Sequence, residues 1–393
     1  MNDTIVKINL GFVAKNVETI IKDHPQYKYY IGVVKSNFYG HGKDIVNELI
    51  KGGINYLAVS YLDEALEIRK INEEIPILCL QPISLSRLKE AAMNNITLTI
   101  HDYNYYNELK KINLSQKIKV HLKLDTGMNR LGIKNKNEVK KIFEDTNKNI
   151  FIEGIFTHFA TTGLIDKHYD KQVEKFQELT SLIDLTKIPI IHLANSIVML
   201  SHEKLPYVNG TRLGILMYGY DVGYKISNKG IKNKIKILRN ICYQKIYKLS
   251  KTINNTTINV KPLMSMQTRI IQIKEVKKGE YIGYGCTYRA KKNMRIAILP
   301  IGYANGIGNK NNGRYVMIND KKYDVVGSIG MNMMTISIDK KVSINDAVII
   351  LGKGISLGTL SRFEGIGLAE MLINIGNNNK KIYTENKEGE IWM

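Results

Sequence analysis

Short apolar runs recur along the first half of the chain, and polar or amphipathic stretches of about 10 to 15 residues separate most of them. Apolar strands that alternate with helical segments of this length are typical of repeated strand–helix units around a parallel sheet. Eight such runs can be counted, over residues 30–34, 56–60, 77–81, 96–100, 118–124, 151–157, 189–194 and 208–213. This repeat constrains the first half of the chain to a parallel α/β fold.

The number of units and the turn sequences between them narrow the fold further. Eight strand–helix units without a glycine-rich dinucleotide fingerprint favour a closed (β/α)8 TIM barrel over an open doubly wound sheet. We therefore predict a barrel over residues 1–222, followed by a basic insert or linker over 223–260. Short strands with glycine and asparagine turns then predict an all-β C-terminal domain over 261–393, with a loosely held tail after Gly376.

Composition excludes several classes of function. The 393 residues carry a net charge of +21, but lysine is abundant throughout the chain, so we expect no nucleic-acid partner. No apolar run approaches the roughly 20 residues of a membrane span, and the first residues do not resemble a signal peptide, so we expect a cytoplasmic protein without membrane contact. The three cysteines lie far apart without metal-ligand spacing, which predicts neither a disulfide nor a metal site.

Polar side chains stand where the predicted strands end. Catalytic groups of a barrel lie at the C-terminal ends of its strands, so these side chains would converge on one mouth. A single one of them could be structural, but their number at equivalent positions indicates an active site. They are Lys35, Lys123, Asp125, His158, Asn195, Ser196 and Arg212.

Lys35 directly follows an apolar strand and precedes a turn-forming segment that contains Gly40 and Gly42. A lysine at the end of a buried strand faces a pocket, and desolvation there favours its neutral, nucleophilic form. Glycines after it allow the backbone to approach a ligand closely. On this stretch alone, an ordinary strand-end lysine is the alternative interpretation.

The segments after the last two predicted strands indicate an anion site. Ser196 begins a helix after the seventh strand, and Gly214 and Ile215 follow the eighth. Backbone N–H groups and the serine hydroxyl can bind phosphate there, as they do in other barrels. A reactive lysine combined with a phosphate site suggests pyridoxal 5′-phosphate, bound covalently by Lys35 and tethered by its phosphate.

Longer motifs surround these residues along most of the chain. They are Val34–Gly42, His121–Gly132, Gly154–Ala160, His192–Ser196, Thr211–Ile215 with Tyr218 and Gly219, Gly283–Gly285, and Pro300–Gly306. In these motifs the chain resembles the alanine racemase family of pyridoxal-phosphate enzymes. The resemblance implies an N-terminal barrel, a C-terminal β domain, a homodimer, and interconversion of L- and D-alanine for peptidoglycan synthesis.

The resemblance also implies roles for individual residues. Racemisation removes a proton from one face of Cα and returns one to the other, so it needs two bases. Lys35 would serve the D side, and Tyr284 of the neighbouring subunit would serve the L side. The other implied residues are Tyr39, His158, Asn195, Ser196, Arg212, Gly214 and Ile215 for the cofactor, Arg130, Tyr303 and Met331 for the substrate, and Lys123, which matches a lysine that is often carbamylated.

Two departures from the family pattern bear on the substrate. Asn332 stands where the family usually has aspartate, and Ala369 stands where a tyrosine is expected. A serine or broad-specificity amino-acid racemase is therefore the nearest alternative. A non-catalytic pyridoxal-phosphate homeostasis protein with only the barrel is the alternative from another class, and the predicted β domain with Tyr284 argues against it.

Overall fold

The computed structural model describes residues 3–114, 116–145, 149–161, 167–221 and 257–385, together with positions 235, 238, 239, 241, 242, 245 and 246. Most of the predicted insert, 223–260, lies outside these residues. Within the described part of the chain, no helix is long and apolar enough to cross a membrane. In the same ranges no group of three or more His, Cys, Asp or Glu side chains could hold a metal ion, and the three cysteines are free.

The regular elements alternate in the first half and are dominated by strands in the second. The strands are β1 (Ile5–Asn9), β2 (Tyr29–Val33), β3 (Tyr56–Val59), β4 (Ile77–Cys79), β5 (Ile96–Ile100), β6 (Ile118–Lys123), β7 (Ile150–Phe156), β8 (Ile190–His192), β9 (Ala194–Asn195), β10 (Gly210–Leu213), β11 (Met264–Arg269), β12 (Gln272–Val276), β13 (Tyr281–Ile282), β14 (Tyr288–Arg289), β15 (Met294–Leu299), β16 (Tyr315–Ile318), β17 (Lys321–Asp324), β18 (Met334–Ile338), β19 (Ala347–Leu351) and β20 (Lys380–Thr384). The α-helices are α1 (Val13–Asp23), α2 (Val46–Lys51), α3 (Leu62–Arg69), α4 (Leu88–Met93), α5 (Tyr103–Lys110), α6 (Lys136–Glu144), α7 (Lys167–Thr180), α8 (Ser196–Ser201), α9 (Leu357–Glu364) and α10 (Leu368–Asn377).

One compact unit, Ala14–Lys35 with Val46–Lys261, contains the parallel barrel. Its nine-stranded sheet has the order β8-β7-β6-β5-β4-β3-β2-β10-β9. The sheet returns on itself because β8 and β9, at its two ends, are separated in sequence only by Leu193. Strands β3, β4 and β5 are buried at every position, as expected where helices cover the outside of a parallel sheet. The (β/α)8 barrel predicted from the eight apolar runs is confirmed, with the seventh run split into β8 and β9.

The other unit consists of Met1–Val13, Ser36–Ile45 and Pro262–Met393. It contains a six-stranded sheet of order β17-β16-β19-β11-β1-β20, a three-stranded sheet of order β12-β15-β18, and the hairpin β13-β14. The N-terminal strand β1 pairs antiparallel with β11 and parallel with β20. The β-rich C-terminal domain is confirmed, whereas the sequence boundaries near residues 222 and 260 stay a prediction.

The C-terminal segment is held more firmly than its polar composition indicates. Helix α10 continues to Asn377, and β20 pairs with β1 from Lys380 to Thr384. The prediction of a loosely held tail after Gly376 is therefore wrong as far as Thr384, and residues 386–393 lie outside the described part of the chain. Parallel pairing with β1 satisfies the backbone hydrogen-bonding groups of the polar strand β20. A pairing partner so far away in the chain leaves no signal in the local sequence.

Gly154 in β7 provides a test of packing in the barrel interior. A methyl group on its Cα would lie 2.6 Å from Cε1 and Nδ1 of His121, whose ring is fully buried. We predict that Gly154→Ala lowers the free energy of unfolding by about 1 to 3 kcal/mol, because the enclosed ring has little room to move.

The matched control is Gly358→Ala in α9. Gly358 is exposed, and the nearest heavy atom to an added methyl is the Ser356 Oγ at 3.8 Å. Alanine has the higher helix propensity, so this change should raise stability by up to about 1 kcal/mol. Urea unfolding followed by circular dichroism measures both variants, and equal midpoints would contradict the packing argument.

Candidate active site

Lys35 lies just beyond the end of β2 and is positioned by the neighbouring strand. The amide of Val34 donates to the carbonyl of Ala58 at 2.9 Å, which carries the strand pairing up to Lys35. Burial lowers the pKa of the Lys35 amine, the positive charge of Arg130 acts in the same direction, and Glu64 opposes both. A lowered pKa increases the fraction of neutral, nucleophilic amine near neutral pH.

A left-handed turn follows Lys35 immediately. The four residues from Ser36 to Tyr39 have φ angles between 52° and 56°, a conformation that costs non-glycine residues roughly 1 to 2 kcal/mol each. The amides of Gly40 and Gly42 close the turn by donating to Ser36 and Asn37, both at 3.1 Å. Gly40 has no room for a side chain, since a Cβ there would lie 2.5 Å from the carbonyl oxygen of Leu372. Backbone strain of this kind concentrates at functional sites.

The loop after β6 is shaped by Asp125. Its Oδ1 accepts hydrogen bonds from the amides of Gly127 at 3.1 Å and Asn129 at 3.0 Å. Gly132 packs so closely that a Cβ would lie 2.5 Å from the Asp125 amide nitrogen. The buried carboxylate thus holds the loop that carries Arg130, and Lys123 stands at the end of the strand before it.

Five basic side chains from separate elements interact in the barrel unit. Burial lowers the pKa of Lys123 to about 7, and the charges of Arg212 and Arg130 add to this effect. Burial also lowers the pKa of His158 to about 3, with Arg212, Lys123, Arg130 and Lys35 all contributing in the same direction. Burial is the main cause of these lowered pKa values, and repulsion among the basic groups adds to it. An anion would relieve that repulsion, so the cluster is electrostatically suited to bind one.

Arg212 is the most firmly held member of this cluster. It is 4% exposed, its NH2 donates to the carbonyl of Thr157 at 2.8 Å and to Leu193 at 3.2 Å, and it lies 3.3 Å from Nδ1 of His158. Its NH1 donates to the carbonyl and, at 3.0 Å, to Nδ1 of His192. Burial lowers the pKa of Arg212 to about 10, which leaves it charged at neutral pH. In the described ranges, these hydrogen bonds use the two terminal nitrogens of Arg212, and none of them uses its Nε.

The predicted phosphate residues lie where α8 begins and β10 ends. The side chain of Asn195 caps α8 by accepting from the amide of Val198 at 3.0 Å. The hydroxyl of Ser196 accepts from the amide of Gly214 at 3.0 Å, which ties the two segments together. The sequence predicts a Gly214 amide that is free for an anion, whereas here this amide is used by Ser196. The Ser196 hydroxyl keeps a proton that it can donate, and Ile215, the residue after Gly214, is partly exposed.

The other predicted residues lie in the unit that contains the C-terminal strands, and three of them share one surface of it. The Tyr284 side chain is 78% exposed, and its carbonyl accepts a hydrogen bond from the Ser328 hydroxyl at 2.7 Å. A Cβ on Gly330 would lie 3.5 Å from the Tyr284 ring, and the carbonyl of Gly330 accepts from the amide of Tyr303 at 3.1 Å. Met331 follows Gly330 and is also exposed. Tyr284, Tyr303 and Met331 are therefore brought together, whereas Tyr39 belongs to the separate segment Ser36–Ile45 of the same unit.

Sequence reasoning missed a row of buried polar side chains behind Arg212. His192 contacts Arg212, the Nε2 of His192 lies 2.8 Å from His121, and His121 lies 3.3 Å from a carboxylate oxygen of Glu153. One signal was present in the sequence, namely a single glutamate within the otherwise apolar run Ile150–Phe156. An acidic residue on a barrel strand requires a partner. His121 on the neighbouring strand and Tyr56 supply it at one oxygen of Glu153, and Lys119 pairs with the other oxygen.

Comparison with known proteins gives this site a family. The family model for the alanine racemase N-terminal domain matches residues 8–222, and that for the C-terminal domain matches residues 263–383. An alanine racemase of Clostridium tetani is 33% identical over 365 residues, covering 89% of this chain and 87% of that protein. An alanine racemase of Borreliella burgdorferi is 31% identical over 98% of both chains. The crystal structure of alanine racemase from E. faecalis has a TM-score of 0.85 at 26% identity, covering 98% of both chains. The resemblance seen in the sequence motifs is thereby confirmed, and the chain belongs to the alanine racemase family.

Proposed function

We propose that this protein interconverts L- and D-alanine with pyridoxal 5′-phosphate as cofactor. The observation that carries the proposal is the group of basic side chains in the barrel unit, in which Lys35 lies just beyond the end of β2 and the buried Arg212 is held by backbone carbonyls. Membership of the alanine racemase family supports the reaction and the substrate. The predicted cytoplasmic location and the use of D-alanine in peptidoglycan belong to the same proposal and stay predictions.

The side chains of the barrel unit fit the cofactor chemically. The Lys35 amine suits an aldehyde, and the Ser196 hydroxyl suits a phosphate. The Nε–H of Arg212, which has no hydrogen-bond partner among the described residues, suits a ring nitrogen. The anionic groups of the cofactor and the substrate would offset the repulsion among the basic side chains. When bound, pyridoxal phosphate supplies an electron sink for the electron pair left at Cα by proton removal. Tyr39, His158, Asn195, Gly214 and Ile215 stay predicted cofactor contacts.

Arg212 gives the proposed site a particular electronic character. A guanidinium does not readily give up a proton, so Arg212 would donate a hydrogen bond to the ring nitrogen of the cofactor without protonating it. The cofactor would then be a weaker electron sink than one that carries a proton on this nitrogen. We infer that Arg212 thereby limits side reactions that require a long-lived carbanion.

Proton transfer at Cα would use one base on each face. The Lys35 amine would hold or deliver the proton on the D side. Tyr284 would hold or deliver the proton on the L side of the substrate in the site of the neighbouring subunit. Its exposure on the surface of its own chain supports this role across a dimer interface. Tyr303 and Met331 share that surface and would contact the substrate, whose carboxylate Arg130 would attract.

Two alternatives remain distinguishable by experiment. A serine or broad-specificity racemase is favoured by Asn332, which is exposed, and by Ala369, a small residue on α10. A non-catalytic barrel protein would lack the second unit, whereas both family models match this chain. Substrate profiling decides between the first alternative and the proposal.

The reaction is tested by incubating the cofactor-loaded protein with each L-amino acid in deuterated water. L-Alanine should yield D-alanine that carries deuterium at Cα, with kcat/KM well above that for L-serine. Lys35→Ala should abolish racemisation and the near-visible absorption band of the lysine-bound cofactor. The control Lys28→Ala removes an exposed lysine before the same strand and should change neither. A band that survives in Lys35→Ala would refute the proposed cofactor linkage, and comparable values for L-serine would favour broad specificity.

The role of Tyr284 is tested by Tyr284→Phe, with Tyr281→Phe as the control. Both rings are exposed and lie in the same hairpin region, but only Tyr284 is proposed to act as a base. Loss of a general base lowers rates by about 10²- to 10⁴-fold, so kcat for racemisation should fall by that factor in Tyr284→Phe alone. Loss of the α-proton should be slowed more from L-alanine than from D-alanine.

A mixing experiment tests whether the tyrosine acts across an interface. Pure Lys35→Ala chains should be inactive, and pure Tyr284→Phe chains should keep only the small residual activity expected for loss of one base. A dimer that combines them has one site with both intact bases, so mixing and reassociation should restore part of the activity. Without restoration, Tyr284 does not serve the partner subunit.

The state of Lys123 is tested by labelling with ¹³C-bicarbonate. Carbon dioxide adds to a neutral amine and releases one proton, and the resulting carbamate anion would be stabilised by Arg130 and Arg212. Because the pKa of Lys123 is lowered to about 7, its carbamate signal in ¹³C NMR should grow as pH rises through that value. The signal should vanish in Lys123→Ala and persist in Lys134→Ala, which removes an exposed lysine nearby. A signal that persists in Lys123→Ala would place the carbamate elsewhere.

A further inference from the structure

A continuous row of hydrogen bonds crosses the barrel interior behind Arg212. The NH1 of Arg212 lies 3.0 Å from Nδ1 of His192, and Nε2 of His192 lies 2.8 Å from Nδ1 of His121. The Nε2 of His121 then lies 3.3 Å from Oε2 of Glu153. We call these four side chains the Arg212–Glu153 row. His121 and His192 are wholly buried, and the four side chains of the row come from four different strands, β6, β7, β8 and β10.

The direction of every proton in this row follows from its two ends. Arginine can only donate, so Nδ1 of His192 must accept, and its Nε2 must carry the proton. The same reasoning makes Nδ1 of His121 an acceptor and its Nε2 the donor to Glu153. Every link is satisfied only if both imidazoles are neutral with the proton on Nε2 and Glu153 is ionised.

The electrostatic environment agrees with this assignment. Burial lowers the pKa of both His121 and His192, which keeps the rings neutral. Burial alone would raise the pKa of Glu153, but hydrogen bonds from His121 and Tyr56 bring it down to about 2. Lys119 pairs with the other oxygen of Glu153 at 3.2 Å and supports the ionised state.

Ring stacking also holds His192, the member of the row that contacts Arg212. The ring of His192 stacks on Phe156 with centroids 4.7 Å apart and an interplanar angle of 13°. Among the described residues, no carboxylate forms a salt bridge with Arg212. The nearest negative charge connected to it by hydrogen bonds is therefore that of Glu153, two imidazoles away.

We propose that Glu153 is a remote positioning residue for the proposed racemase reaction, acting through His121 and His192 to hold Arg212 with its Nε–H directed at the cofactor ring. This inference rests on the proposed function, since it assigns a role to Arg212 in cofactor binding. Glu153 itself touches neither cofactor nor substrate. Its charge and its position as a pure acceptor set the proton on both histidines, and the histidines orient the guanidinium.

Glu153→Gln is the informative variant because it keeps size and removes the charge. The amide can donate to Nε2 of His121, which would move the protons of both rings to Nδ1 and place an N–H of His192 against Arg212. We expect kcat to fall by about 10- to 100-fold with little change in KM, and the absorption band of the resting cofactor to shift. Glu153→Asp, which keeps the charge, should restore part of kcat.

Tyr56→Phe is the matched control. The Tyr56 hydroxyl donates to the same Glu153 oxygen at 2.7 Å, so its removal takes one buried hydrogen bond from the same site. It should lower the melting temperature but leave kcat and the absorption band close to those of the wild type. If Tyr56→Phe and Glu153→Gln lose kcat equally, the row has only a structural role.

The histidine protons give a readout that does not depend on turnover. Nitrogen-15 chemical shifts of the imidazole rings in the wild-type holoenzyme should place the proton of His121 and His192 on Nε2. A proton on Nδ1 of either ring in the wild type overturns the proposal, even if Glu153→Gln does not fold. Wild-type kcat in a folded Glu153→Gln variant also overturns it. Failure of the proposed function can be told apart from failure of this inference. In the first case the wild type would racemise no amino acid, while the nitrogen-15 shifts would still report the tautomers of both histidines.

Discussion

The positive charge of Arg212 inside the barrel is the constraint on which the surrounding structure depends. A buried ion loses several kcal/mol of solvation, and a direct carboxylate partner would be the usual compensation. Here carbonyl oxygens and an imidazole nitrogen accept hydrogen bonds from the guanidinium, and the carboxylate of Glu153 lies at the other end of the Arg212–Glu153 row. The barrel interior therefore contains histidines and a glutamate at positions that other barrels fill with aliphatic side chains.

The same charge determines the chemistry of its neighbours. Burial is the main cause of the lowered pKa of Lys123, His158 and Lys35; the charge of Arg212 adds to it at the first two, and that of Arg130 adds to it at Lys35. A direct carboxylate on Arg212 would cancel much of this field and would also compete for its free N–H. Because no carboxylate among the described residues pairs directly with Arg212, the site is already organised for an anionic ligand, and little reorganisation is needed when one binds.

The parts of this arrangement that sequence could predict are those with a local signature. Barrel strands are buried on both faces, so they read as apolar runs, and the residues just after them fall at one end of the sheet by topology alone. That is why Lys35, Lys123, His158 and Arg212 could be grouped before their contacts were known. Family motifs supplied Tyr284, Tyr303 and Met331, for which neither charge nor periodicity gave a reason.

The parts that sequence could not predict depend on contacts between distant segments. The hydrogen bond between His121 and His192 joins residues 71 positions apart, and β1 pairs with β20 at the other end of the chain. The left-handed turn at Ser36–Tyr39 has no glycine among its strained residues, so its positive φ angles could not be predicted from the local sequence. Such a turn is tolerated because close packing beyond it, as at Gly40, leaves the backbone no relaxed alternative.

The exposure of Tyr284 bears on how the proposed site excludes water. A phenol that is 78% exposed on its own chain faces solvent, and a carbanion formed beside it would be quenched by protons from water. Racemisation with a defined base on each face requires that both bases be shielded while the proton is away. In the proposed dimer, the surface that carries Tyr284, Tyr303 and Met331 would be covered on association, and these exposed side chains would then become part of a closed site. Dimerisation would thus be a requirement of the chemistry as well as a means of stabilising the chain.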